Sequence, residues 1–248
     1  LEGGGTRCAV MCPAHPEWQD FIYNMVKRLA GPGYHAIYHD EVTTGQPYQC
    51  FNPDHGHPIN SPLNWLKNGY WTMLKKVASL RDKYPGLCHD SEDASEPYMQ
   101  YLDGVGPFRW VNPNQVPLFV SIYSGRAQFT GRMYDHVKPG HRESFYDKMA
   151  TQLVNSEQMG WFTADYLYNP EQRLFTKRLM HLRHTLLNYF NTGEMERPLK
   201  FKNMPTRNLM WGSLTAQRIL TPYVHNGVFK LSDGTRMAVF INATPQAV

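Results

Sequence analysis

"YHAIYHDEVTTGQPYQCFNPDHGHP" runs from Tyr34 to Pro58, and its opening nine residues decide how the fold is read. "YHAIYHDEV" is short, β-prone and bounded by turn residues, which predicts a strand. Side chains alternate between the faces of a strand, so Ala36, Tyr38 and Asp40 share one side and Ile37, His39 and Glu41 the other. Asp40 then emerges at the carboxyl end of the strand, and Glu41 opens the long loop Thr43–Pro62.

Upstream, "PEWQDFIYNMVKRL" sets Trp18, Phe21, Ile22, Met25, Val26 and Leu29 at helical spacing, with Pro16 at its start and a Gly-Pro-Gly stop. Downstream, "LNWLKNGYWTMLKKVASLRDKY" predicts one long amphipathic helix over 63–84. "LCHDSED" then predicts a second strand over 87–91, with Asp90 and Glu92 of one parity and Glu92 at its carboxyl end. A short helix at "EPYMQYLDGV" and strand-like stretches at "GPFRWV", "VPLFVSIYSG" (116–125) and "WFTAD" (161–165) follow. Helices are expected over 142–156 and along "PEQRLFTKRLMHLRHTLLNYFN". Strands alternating with helices predict an α/β fold with a parallel sheet. From about Arg197 the pattern changes to short strands such as "LKFKN", "NLMWGS" and "GVFKLSDGTRMAVFINAT", the last folded back at Ser-Asp-Gly, as in an antiparallel domain.

Composition bounds the function. The chain has 248 residues, 42% hydrophobic and 19% charged, with a formal charge of +4. Its Lys and Arg residues are scattered rather than clustered, so a nucleic-acid partner is not expected. No apolar stretch reaches the roughly 20 residues of a membrane helix, so no membrane is expected either. Four cysteines, Cys8, Cys12, Cys50 and Cys88, do not make a disulfide scaffold at this length, and the compartment stays open. The 13% of aromatic residues suits a large core or a sugar site, where Trp and Tyr stack on pyranose faces.

A parallel strand in a (β/α) barrel delivers its chemistry at the carboxyl end. Asp40 and Glu92 are such residues on successive strands. Two carboxyl groups about 5–5.5 Å apart let one attack an anomeric carbon while the other protonates the leaving oxygen; a wider gap admits water. The acid must keep its proton, so burial or a neighbouring charge has to raise its pKa. Carboxylates after strands also serve as helix N-caps, a role open to Asp93 and Glu96.

The segments "MCPAHPEWQDFIYNMVKRL", "YHDE", "CFNPDHGHP", "NWLKNGYWTMLKK" and "SEDASEPYMQYLDG" together resemble an uncharacterised bacterial family of glycoside-hydrolase-like barrels, a domain of unknown function. The resemblance is clear from Met11 to Trp110 and weaker beyond. More distantly the chain is similar to α-galactosidase and endo-α-N-acetylgalactosaminidase barrels. That resemblance implies a TIM-type (β/α)8 barrel, with Asp40 as nucleophile and Glu92 as general acid/base of a retaining glycosidase acting on α-linked sugars. It further implies that the chain begins near the end of the third barrel strand. Residues 1–196 would be a partial barrel and 197–248 the start of an antiparallel β-sandwich. Two departures, Asp93 within "SEDAS" and the missing glycine run after "HGHPINSP", bear on substrate preference.

An oligosaccharide or glycoside is thus the expected partner. Tyr38, His55, His57, Arg109, Trp110, Trp161 and Asp165 are expected to line its site. Trp65, Tyr70 and Tyr98 are further stacking candidates, although Trp65 and Tyr70 lie where a helix is expected and suit core packing better. Cys50, His55 and His57, joined by Cys12, would make a closed zinc site. Their spacing matches no standard zinc module, so pocket shaping is preferred here and neither metal nor cofactor is expected. A non-catalytic carbohydrate-binding barrel and a zinc-dependent hydrolase are the alternatives.

Overall fold

The computed structural model describes residues 9–106, 116–131, 142–160, 162–211 and 217–244. The chain divides into two compact units, Leu1–Asp103 and Gly104–Val248.

The first unit opens with α1 (Pro16–Ala30), begun by Pro16 and Glu17 and ended by Lys27 and Arg28, charges that suit the helix dipole at each end. β1 (Ala36–His39) follows, and a π-helical turn (Leu66–Trp71) runs into α2 (Thr72–Ala78) and then β2 (Cys88–Ser91). The two strands pair in parallel, with Ala36 beside Cys88, Tyr38 beside Asp90 and His39 beside Ser91. Their inner face buries Ile37, His39, His89 and Ser91, while Ala36 and Tyr38 are exposed. The core of this unit is Val26, Met73, Leu74, Val77, Leu80 and Leu87, each at most 2% exposed. Helix α1 is tied in by buried Gln19, whose Nε2 donates to the carbonyls of Pro13 (2.8 Å) and Asn68 (2.9 Å).

The long helix expected over 63–84 is interrupted. A 3-10 turn (Pro62–Asn64), the π turn, α2 and another 3-10 turn (Ser79–Asp82) replace it. Gly69 is the cause, since its φ of −90° and ψ of −105° are not helical. A Cβ there would run into the Asn64 carbonyl and the Pro13 ring. The Tyr70 amide accordingly reaches back five residues to the Trp65 carbonyl, at 3.0 Å.

The second unit holds β3 (Gly104–Val105), α3 (Leu118–Tyr123), β4 (Gln128–Thr130), α4 (Arg142–Val154) and β5 (Glu157–Gln158). β3, β4 and β5 are parallel neighbours. Next come α5 (Pro170–Thr185), α6 (Leu187–Thr192), β6 (Glu194–Glu196), β7 (Thr206–Trp211), β8 (Gln217–Pro222), β9 (Val224–Lys230) and β10 (Arg236–Asn242). β6, β9 and β10 form one antiparallel sheet, and β7 and β8 an antiparallel ribbon. The fold is therefore α/β, with the parallel strands and flanking helices that the sequence pattern predicts. Helix α4 is central: Phe145, Met149, Ala150 and Leu153 join Phe190 of α6, Phe229 of β9 and Ile241 of β10 in one buried cluster.

Three expected strands take other forms. The apolar run at 116–125 contains α3, which buries Val120 and leaves Leu118 and Ile122 exposed; a short apolar run has no period that separates helix from strand. "WFTAD" leads into a 3-10 turn (Ala164–Tyr168), and Asn169 then caps α5 by accepting from the amides of Glu171 and Gln172. "LKFKN" makes no strand; β6 forms just before it.

Candidate active site and thiol-imidazole cluster

Asp40 and Glu92 both follow directly on the parallel pair. Asp40 comes one residue after β1, exposed, and Glu92 one residue after β2, half-buried. Beside Asp40 the chain turns sharply, because Glu41 adopts a left-handed backbone (φ 55°) and its carbonyl accepts from the Gly45 amide at 2.7 Å. The loop then docks on the end of β2. Thr44 Oγ1 donates to Glu92 Oε2 at 3.1 Å, and Thr43 Oγ1 accepts from the Asp93 amide at 3.0 Å and lies 3.2 Å from Ser91 Oγ.

β2 itself carries a third carboxyl group, Asp90. Burial pushes its pKa up to about 6, against a smaller downward pull from the Ser91 amide, while the Asp103 charge adds to the rise. Asp90 stands beside Tyr38 in the register, on the face shared by Asp40. Its alternation with Glu92 is legible in the sequence; its raised pKa depends on what packs around it. On the opposite face His39 Nε2 and His89 Nδ1 lie 3.1 Å apart. Burial holds both imidazoles down at about 4, with the facing imidazole adding to the effect on His39 and Arg81 to that on His89.

Trp65 and Tyr98 are buried, and Tyr70 is half-buried between them, in edge-to-face contacts with centroids 5.0 Å and 6.2 Å apart. Burial, then Tyr98 and Glu41, push the Tyr70 phenol up to about 12. Trp65 and Tyr98 thus pack into the core of the first unit. Arg109, Trp110 and Trp161 lie outside the described residues. Asp165 lies exposed on the 3-10 turn of the second unit.

His55 and His57 gather elsewhere in the first unit. With Cys12 and Cys50 they each bring one donor atom into a group lying within 4.8 Å of one another. Cys12 Sγ is 3.1 Å from His57 Nε2, and Cys50 Sγ is 3.2 Å from His55 Nδ1. Burial, with the neighbouring Cys50, raises the Cys12 thiol pKa; partial burial and then the His15 and His57 rings lower that of His55. A cavity of about 250 Å³ opens beside the thiols, lined among others by Met11, Cys12, Tyr48, Cys50, Phe51 and Trp65, and neither Asp40 nor Glu92 lines it.

Among the described residues no helix is long and apolar enough to cross a membrane. A search of curated proteins finds no match. The family model of a domain of unknown function (DUF6259) matches residues 3–134, more than half of the chain, and the chain belongs to that family.

Proposed function

We propose that the chain is a retaining glycoside hydrolase of α-linked sugars, in which Asp40 attacks the anomeric carbon and Glu92 protonates the leaving oxygen. The observation that carries the proposal is the register of β1 and β2. The paired register ends with His39 beside Ser91; continued by one residue it would set Asp40 beside Glu92. Neighbouring strands run about 4.8 Å apart, so two carboxyl groups leaving one face at one level fall near the ~5–5.5 Å that covalent catalysis needs. Thr44 holds Glu92 in place. A proton kept on Asp90 up to about pH 6 supports the view that this face can hold a carboxyl group neutral. On this proposal the parallel strands and their helices form part of a TIM-type (β/α) barrel, and the antiparallel strands from about residue 197 begin a β-sandwich. Tyr38, exposed on the same face, would contact the sugar.

A non-catalytic carbohydrate-binding barrel is the second reading, favoured by the openness of the face that bears Tyr38 and Asp40. Activated α-glycosides distinguish the two. Asp40→Asn should reduce turnover to background while leaving the circular dichroism spectrum intact, and azide or formate should partly restore a Glu92→Ala variant. Unchanged turnover in Asp40→Asn overturns the assignment. Glycan binding by the wild type without release of reducing ends selects the binding reading.

A further inference from the structure

We propose that Cys12, Cys50, His55 and His57 bind one zinc ion, as a closed four-ligand centre that clips the loop after β1 to the segment ahead of α1. Zinc is bound at about 2.3 Å by thiolate and about 2.0–2.1 Å by imidazole, which makes the edges of its tetrahedron roughly 3.4–3.8 Å. Two of the four sulfur-nitrogen edges here are 3.1 Å and 3.2 Å, and all four donors lie within 4.8 Å of one another. Side-chain adjustments of an ångström or less would complete the polyhedron. Two thiolates and two imidazoles in a tetrahedron select zinc over magnesium or calcium, which take oxygen donors.

The surroundings orient both rings from outside. His57 Nδ1 lies 3.1 Å from the Pro58 carbonyl and 2.9 Å from Asn64 Nδ2; when it donates to the carbonyl, the Nε2 lone pair faces Cys12. His55 Nε2 accepts from Asn52 Nδ2 at 2.9 Å, which fixes the ring; a metal on Nδ1 requires the proton there to leave and the Asn52 amide to turn. Asn52 also accepts from the Asp54 amide, capping the 3-10 turn Pro53–His55, and Gly56 closes that turn in a left-handed conformation (φ 69°). The Asn60 amide donates to the Cys50 carbonyl at 2.8 Å, which brings the two ends of the ligand loop together.

The loop also needs such a clip. Tyr48, Phe51 and Ile59 are all exposed, so apolar burial does little to hold it. A bond through the metal would join Cys12 to residues some 40 positions further along the chain, where closing the loop is entropically costly. Four protein ligands fill the tetrahedron, so the centre is a staple with no open position for a hydrolytic water. On binding, each thiol gives up its proton to solvent and its sulfur lone pair to the metal, so affinity should rise with pH.

The test uses the full chain, purified without chelator under oxygen-free conditions. Elemental analysis should give one zinc per chain. Exchange into cobalt(II) should produce a thiolate-to-metal charge-transfer band and intense tetrahedral ligand-field bands. Cys12→Ser and His57→Ala should each weaken or abolish these bands, while Cys88→Ser leaves them unchanged. If the ligand variants do not fold, the wild-type cobalt spectrum decides. Substoichiometric metal after reconstitution, a weak octahedral cobalt spectrum, or a Cys12–Cys50 disulfide in the purified chain overturns the proposal.

Discussion

At the scale of single residues, side-chain direction in β1 follows from alternation alone: Ile37 and His39 are buried, while Ala36, Tyr38 and Asp40 are exposed. The pairing of Cys12 with His57 is a different case. The two side chains lie 45 positions apart; the sequence offers both as donors to one site, but only packing brings them to 3.1 Å. Gly69 falls between these cases. Its sequence neighbourhood is helical, yet tertiary crowding by Asn64 and Pro13 forces a backbone that a Cβ would obstruct. Gly69→Ala should therefore destabilise the chain by about 1–3 kcal/mol, the usual cost of overpacking, although alanine is the better helix former. Urea denaturation measures this directly. A stabilised Gly69→Ala variant would mean that the π turn relaxes to an ordinary helix at no cost.

At the scale of elements, α4 is where sequence pattern misleads most. Ser144, Asp147, Lys148, Thr151 and Gln152 would mark a solvated face, yet all are buried. Two of them meet partners from other elements. Asp147 Oδ1 receives Thr221 Oγ1 of β8 at 2.9 Å and lies 2.7 Å from His225 Nε2 of β9, and Lys148 Nζ lies 5.5 Å from the Trp211 ring centroid. Removing one side of such a buried pair strands the other without water. His225→Ala should cost about 3 kcal/mol or more, and Thr221→Val about 1 kcal/mol. In a double-mutant cycle, His225→Phe combined with Asp147→Leu should lose less than the sum of the single changes. Strict additivity would show the contact to be energetically idle. The same principle explains the missed helix at 116–125: six helical residues that bury one valine carry too little periodicity to be told from a strand.

At the scale of the whole molecule, stability should depend on pH through the inner face of the first unit. His39 and His89 are held down to about 4 in the folded chain, from an ordinary 6.5. Between those values the unfolded chain binds more protons, so the stability they contribute is present above pH 6.5 and lost as pH falls toward 4. Asp90 acts in the opposite sense. Pushed up to about 6 from 3.8, it contributes stability below 3.8 that disappears as pH rises through 6. Two imidazoles outweigh one carboxyl group, so the midpoint of chemical denaturation should drop between pH 7 and pH 4.5. A His39→Gln/His89→Gln variant should show a flatter profile, and an equally steep one would place the effect elsewhere.

What the sequence by itself determined is the α/β class and the direction of side chains in β1 and β2, since alternation and helical spacing are local properties of the chain. Family membership is likewise written in local motifs. Only the tertiary structure decided the break at Gly69, the burial of the polar side of α4, the raised pKa of Asp90 and the meeting of two thiols with two imidazoles. Each of these depends at least in part on atoms that arrive from distant segments, and desolvation and close contact depend on where those segments pack.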